Sequence, residues 1–396
     1  MVASETRHPY PFERTVATEL PPMYEALRET DRVAPITMST GDPAFLVTRY
    51  EDVRFVLSDP RFSVNQNLPG APRLTEMTFE SVMTTDPPVH TRLRKLVSRE
   101  FTARRAERMR QRLQEIVDGL LDAMQEQGPP ANIVEALAVP FPITVICELL
   151  GIPKMDTDRF RRWADIMVSL TGYSFEDWSA ARNALQDYLG DLIKTRQQNP
   201  GPDLLSALVK TSATDDQLTL HEVGSLALIL LLAGYEPASN QLGSSVLTLL
   251  RHPQQLAHLR ENPDLLPAAV EELMRYAPAG DGSLFRITLA EVAIGDVVIP
   301  AGSAVLASTQ AANTDPRRFD DPGGLDLARA DNQHVALGHG IHYCLGGALA
   351  KLELQVAIGS LLRRFPGLKL AIPEQELRWS REGSMLSGFA EVPVTW

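Results

Sequence analysis

Leu337-Gly-His-Gly-Ile-His-Tyr-Cys-Leu-Gly346 sets three glycines around one cysteine and runs into a helical pattern from Leu345 to Leu362. Glycine tolerates unusual dihedrals and lets a backbone approach closely, so the stretch suits a loop pressed against something large and flat. A cysteine at a helix start gains from unpaired N–H groups and the helix dipole, which favour the thiolate. Such a thiolate is a strong electron-donating ligand for a metal such as iron. The plain alternative is a structural cysteine in a glycine-rich turn. For Cys147, inside the apolar run Ile143-Thr-Val-Ile-Cys-Glu-Leu-Leu150, that alternative is the better reading. For Cys344 the density of glycines, with His342 two residues before it, argues against it.

Working outward, the same loop is followed by one helix and preceded by a mixed segment. From about 90 to 250 the pattern is helical, with Pro and Gly punctuation near 91–99, 104–126, 131–150, 155–170, 175–197, 203–211 and 220–250. Thr219-Leu-His-Glu222 is a capping-box start for the last of these. That helix would run roughly 45 Å, enough to cross the molecule. Further helices are expected at 264–276 and 345–364. Ala290 to Leu306 alternates between turns and reads as strands, as does Gly367 to Trp396. Residues 62–88 read as a long loop. The fold class expected is therefore α+β, mostly helical, with small segregated sheets. A single domain is expected, its β-rich part about 30–65, 288–308 and 367–396, its helical part about 86–285 and 345–364.

Composition narrows the function. The 396 residues are 44% hydrophobic and 22% charged, a globular balance. No run of eighteen apolar residues and no secretory leader stand in the sequence, so neither a membrane span nor export is expected, and a cytoplasmic location is. Two cysteines exclude a disulfide scaffold. A net charge of -12 argues against nucleic acid. One region breaks the acidic balance, with nine Lys/Arg from Arg92 to Arg112 against Glu100 and Glu107. It is either a solvated helix face or a docking patch for an acidic partner.

The cysteine stretch resembles the haem-binding loop of the cytochrome P450 family, Phe-Gly-x-Gly-x-His-x-Cys-x-Gly, at every position but the first, where Leu337 stands for Phe. Glu272-Leu-Met-Arg275 matches the family's Glu-x-x-Arg, and Asn313 to Pro322 looks like its meander, with Arg318 or Arg329 left to complete the ion network. The resemblance extends from about residue 45 to the end. It implies haem b on the thiolate of Cys344, cradled by Gly338, Gly340 and Gly346. It assigns the propionates to His90 and Arg94, to Arg286 and to His342. It implies a long helix over the haem carrying Ala233-Gly234-Tyr235-Glu236-Pro237, with Pro237 where the family has a threonine. Proline there predicts a kink and removes a hydroxyl, and Ser239, about 200° further round the helix, does not replace it. Glu236 is either a proton-relay acid or a surface or ion-paired one.

Family analogy places the substrate pocket at Asn65, Gln66, Met83, Thr84, Leu170, Leu232, Asp281, Ser283, Leu284, Phe285 and Met385. The mixed polarity fits a medium-sized natural-product intermediate. The resemblance implies a monomeric oxidoreductase fed by ferredoxin and ferredoxin reductase, hydroxylating or oxidatively coupling its substrate. The alternatives are a peroxide-using enzyme or a haem-thiolate sensor without turnover.

Overall fold

In the computed structural model, residues 7–14, 16, 18–73, 81–169, 172–214, 218–277, 279, 283–378 and 388–396 are described. The N-terminal third places β1 (His8–Pro9), α1 (Met23–Thr30), β2 (Ala34–Thr37), β3 (Pro43–Val47), α2 (Tyr50–Ser58) and β4 (Phe62–Ser63) ahead of α3 (Val89–Ser98). The helical body follows: α4 (Ala103–Arg108), α5 (Arg110–Gln127), the short β5 (Ala131–Asn132), α6 (Pro140–Leu150), α7 (Thr157–Val168), α8 (Phe175–Gln198), α9 (Leu204–Thr214), α10 (Leu220–Arg251), α11 (Pro253–Glu261) and α12 (Leu266–Tyr276). The chain then forms β6 (Ser283–Thr288), β7 (Val292–Ile294), β8 (Val297–Ile299), β9 (Ala304–Ser308) and α13 (Thr309–Asn313). After a long irregular stretch come α14 (Gly347–Arg364), β10 (Lys369–Leu370) and β11 (Pro393–Thr395).

The mostly helical α+β reading holds. The main sheet has the order β1-β2-β3-β9-β6-β4. Strands β3 and β9 pair in parallel, Ala44 opposite Ala304, and β6 pairs with β9 antiparallel, Ser283 opposite Ser308. The expected helical span to residue 285 is corrected here. Ser283–Thr288 is a central strand, because Phe285, Ile287 and Leu306 bury on one sheet face while Leu284 and Val305 pack on the other. Helices α1 and α11 also lie outside the expected set, and α11 starts at Pro253, which is suited to a first helical position.

Helix α10 is the axis of the helical body. The Thr219–Glu222 capping box forms as the sequence predicts, each side chain bonding the other's backbone N–H. Its helical pattern continues through Pro237 to Arg251. Among residues 226–249 every position is buried except Ala233, Gly234, Pro237 and Ala238. These are i, i+1, i+4 and i+5, a single face, so the helix opens at one window and nowhere else along that length.

Candidate active site

The cysteine loop is held by its own backbone. The N–H of Cys344 donates to the carbonyl of Leu337 at 2.8 Å, and that of Tyr343 to Gly340 at 3.1 Å. Gly338 and Gly340 have φ of +76° and +74°, where side chains are strained. At Gly340 the requirement is absolute, since a β-carbon would collide with the carbonyl of Leu57 at the end of α2. The loop is thus pinned to α2 on one side and to α14 on the other.

Cys344 faces a depression of about 420 Å³ whose wall includes Phe101, Tyr343, Leu345, Lys351 and Leu352. Cys147, in contrast, is sealed in the core, and burial pushes its thiol up to about 12. The helix-start argument predicted a lowered pKa for Cys344. Instead burial raises it, with the Gly346 N–H, Arg94 and Lys351 working in the opposite direction. Desolvation outweighs the backbone donor and the two cations in the protein alone.

Helix α3 presents His90 and Arg94 one turn apart towards this loop. The His90 ring lies 4.1 Å from that of His342, centroid to centroid. Both His90 nitrogens and Nε2 of His342 are buried without a hydrogen-bond partner among the described residues. Arg94 donates to the carbonyl of Tyr343. From β6, Arg286 is buried, and its one hydrogen bond among the described residues goes to the carbonyl of Phe285 at 2.8 Å. Burial lowers all four pKa values: Arg286 falls to about 10, and His342 to about 3, the latter aided by His90, Arg286 and Arg94. Four cationic or protonatable groups therefore converge with no carboxylate bonded to them. Buried groups of this kind need an anionic partner. The donor set fits the two propionates of a haem. Among the described residues no three His, Cys, Asp or Glu side chains cluster as a metal cage. A single cysteine with no further ligands beside it among the described residues suits a metal carried in its own macrocycle.

The expected Glu272–Arg275 pair is fully buried, with Nε–Oε2 and Nη2–Oε1 bonds of 2.7 and 2.8 Å. Arg275 also donates to the carbonyls of Asn313, Pro322 and Gly324. Of the two candidates left open for the network, Arg329 joins it, 3.1 Å from Glu272, while Arg318 pairs with Asp331. Asn332 adds a bond to the same carboxylate, a partner the sequence motif did not indicate.

On α10, Glu236 is buried at 1% exposure beside the open window. Gly234 also packs against α6, since a β-carbon there would stand 3.0 Å from Ile146. The hydroxyl of Ser239 donates to the carbonyl of Tyr235 at 2.9 Å, so it is committed to its own helix. The phenol of Tyr235 meanwhile donates to Asp165 on α7 at 2.9 Å. Ala238 completes the window; it follows the motif directly, and its i+4 spacing from Gly234 is the signal that gives it a place there.

The remaining pocket candidates come from separate segments of the chain. Leu284 lies on the sheet face towards Gly338, and Phe285 packs on the opposite face with Tyr24 and Leu306. Ser283 accepts the hydroxyl of Tyr10 at 2.6 Å. Asn65 accepts the N–H of Asn67, Gln66 has a buried carbonyl oxygen without a partner among the described residues, Thr84 bonds Ser81, and Met83 is exposed. Leu232 is a core residue beside the window. Leu170, Asp281 and Met385 lie outside the described residues.

The basic run is partly spent. Arg92 pairs with Glu222, Arg105 with Glu100, Arg110 with Glu107, and Arg112 with Glu115 and Glu148. Lys95, Arg99, Arg104 and Arg108 are exposed.

Comparison with known proteins gives the family. The family model for cytochrome P450 matches residues 28–387. The chain is 47% identical to nocardicin C N-oxygenase of Nocardia uniformis subsp. tsuyamanensis and 44% identical to mycinamicin IV hydroxylase/epoxidase of Micromonospora griseorubida, each over 100% of both chains. A crystal structure of a proposed thioether synthase involved in the tailoring step of griseoviridin superposes with a TM-score of 0.97 at 76% identity, over 99% of this chain and 100% of that one. The relatives are named oxygenases and hydroxylases, which sets aside the sensor alternative. This chain belongs to the cytochrome P450 family, enzymes whose haem iron is held by a cysteine thiolate.

Proposed function

We propose that this enzyme closes a carbon–sulfur bond in a natural-product intermediate by oxidative coupling, with Cys344 as the axial iron ligand. His90, Arg94, Arg286 and His342 hold the propionates. The bound haem supplies reductive activation of dioxygen. In the balanced reaction a thiol S–H and a C–H are lost and an S–C bond forms. Dioxygen becomes two waters, taking two electrons from the substrate and two from an external donor, with two further protons from solvent.

The observation that carries this reading is the window on α10. It holds Pro237 where the family places a hydroxyl, and the hydroxyl of Ser239 is bound to Tyr235. The chain offers no side-chain hydroxyl at that position, so an acidic X–H on the substrate itself serves best, and a thiol is one. The 76% identity to the proposed thioether synthase points to the same chemistry. The apolar window residues leave the substrate's own groups to set its orientation. Electrons come from a separate ferredoxin and its reductase, and the enzyme acts as a monomer. No helix among the described residues is long and apolar enough to cross a membrane.

The test incubates the haem-loaded enzyme, ferredoxin and reductase with thiol-bearing precursors of sulfur-bridged natural products under isotopically heavy dioxygen. Coupling gives a product lighter by two hydrogens and free of heavy oxygen. Heavy oxygen in the product makes it a hydroxylase. Equal turnover on hydrogen peroxide with no donor would make it a peroxygenase.

A further inference from the structure

Lys351 stands on α14 two turns beyond Cys344 and forms part of the wall of the depression over that cysteine. Its ammonium lies 2.7 Å from Oε1 of Glu271 on α12. The other oxygen of Glu271 lies 3.0 Å from Nε2 of His334. His334 Nδ1 accepts the N–H of Ala336, so the ring proton of the neutral imidazole sits on Nε2 and points at Glu271. Burial pushes the Glu271 carboxyl up, but His334 and Lys351 together hold it below its ordinary value.

The three groups differ in access. The side chains of Lys351 and Glu271 are 27% and 34% exposed, and that of His334 only 4%. A visiting protein can reach the lysine but not the histidine. The surrounding surface suits a visitor: Tyr343, in the wall of the depression, is exposed, Glu107 in the same wall is paired with Arg110, and Arg99, Arg104 and Arg108 on that neighbouring segment carry no ion pair among the described residues. An exposed aromatic tip with a basic rim complements an acidic partner.

We propose that Lys351 is an exchangeable contact, its ammonium leaving Glu271 for a carboxylate of an acidic electron-donor protein as that protein seats over Cys344, while His334 keeps Glu271 paired. This rests on the ferredoxin reading above. A lysine suits the exchange because its charge is compact and its stem rotates freely. A half-exposed ion pair contributes little, so it yields to a better-placed partner. Glu271 then competes with the donor. The competition shortens each visit, which suits a reaction that takes its two external electrons one at a time.

Binding of an acidic bacterial [2Fe–2S] ferredoxin to the haem-loaded enzyme, titrated at low ionic strength, tests the exchange. Glu271→Gln keeps an acceptor for His334 and removes the charge that holds Lys351. It should tighten binding by about three- to tenfold, and Lys351→Met should weaken it by a similar factor. In the Lys351→Met background, Glu271→Gln should change nothing. Equal tightening in both backgrounds means that Glu271 acts only through net charge and overturns the exchange, as does no tightening in the native background. Failure of the unaltered enzyme to bind the ferredoxin sinks the donor reading itself, a different result. An unshifted carbon monoxide spectrum in all variants verifies that the cysteine loop is intact.

Discussion

The rings of His90 and His342 meet at 4.1 Å with an interplanar angle of 43°, and three of their four nitrogens face no partner among the described residues. One comes from the start of α3 and the other from the cysteine loop, so the contact joins segments 252 residues apart in the chain. These tilted imidazoles, their pKa values lowered by burial, lie beside Arg94 and Arg286, so the two guanidiniums make the cluster a site for charge of the opposite sign.

Removing a cation from that cluster should act oppositely on the two forms of the protein. Arg286→Leu deletes a buried guanidinium that only an anion can satisfy. Haem should dissociate roughly tenfold faster, given the worth of a charged hydrogen bond. The melting temperature of the haem-free protein should stay level or rise. Haem transfer to apomyoglobin and calorimetry of the apoprotein measure the two arms. A drop in both would assign Arg286 a purely structural role.

Cys344→Ala should leave haem bound, if at all, without the strongly red-shifted Soret band that reduced, carbon monoxide-treated thiolate haem shows. Cys147→Ala should leave that band unchanged. The absorption spectrum decides between the two cysteines in one experiment.

Gly340→Ala puts a methyl group into the carbonyl of Leu57 at a φ of +74°. Stability should fall by about 3 kcal/mol, combining backbone strain with overpacking. Gly346→Ala, where a β-carbon meets nothing within 4 Å, is the matched control and should be mild. Chemical denaturation compares them.

Glu353 lies wholly inside α14, where desolvation pushes its pKa up to about 8 from 4.5. The folded state therefore holds this proton more tightly than the unfolded chain does. Stability from it is full below pH 4.5 and is lost as pH rises towards 8. Glu353→Gln imitates the protonated form and should remove that slope, gaining about 4 kcal/mol at pH 7.5. Unfolding curves at pH 5 and 7.5 should converge for the variant and diverge for the unaltered protein.

Pro237→Thr restores the family's hydroxyl at the α10 window. With a thiol substrate the yield of coupled product per electron should change less than about twofold, because the substrate already brings its own proton. A large gain would show an impaired site rather than a specialised one. For electron delivery, Arg104→Glu should slow reduction by ferredoxin about three- to tenfold at low salt and far less at high salt. Arg105→Glu should do less, since Glu100 already holds Arg105.

Much of this site was legible in the sequence because it is local. The loop 337–346, the capping box at Thr219 and the pair Glu272–Arg275 each occupy a few consecutive residues, and each forms as its spacing implies. What escaped depends on partners far away. Strand β6 has no alternation that marks it, because both its faces are covered, and its register comes from β9. The choice of Arg329 over Arg318 turns on Asp331, which captures Arg318. The basic run looked stronger than it is because Glu222 and Glu148, which neutralise Arg92 and Arg112, lie on α10 and α6. In the protein alone the thiol of Cys344 is raised rather than lowered, because burial cannot be counted from a motif.

Arg275 bonds three carbonyls across 313–324 while Glu272 receives Arg329, Asn332 and the N–H of Asp326. Apart from α13 at its start, that stretch contains no regular structure and takes its shape from one helical turn elsewhere in the chain. The two segments are thus a lock and its key for recombination. A chimera of related enzymes joined between residues 276 and 313 succeeds only where both parents cut the same key, whereas joints before residue 266 or after residue 364 carry lock and key together. Diversity in this family can therefore be shuffled freely around the network but not through it.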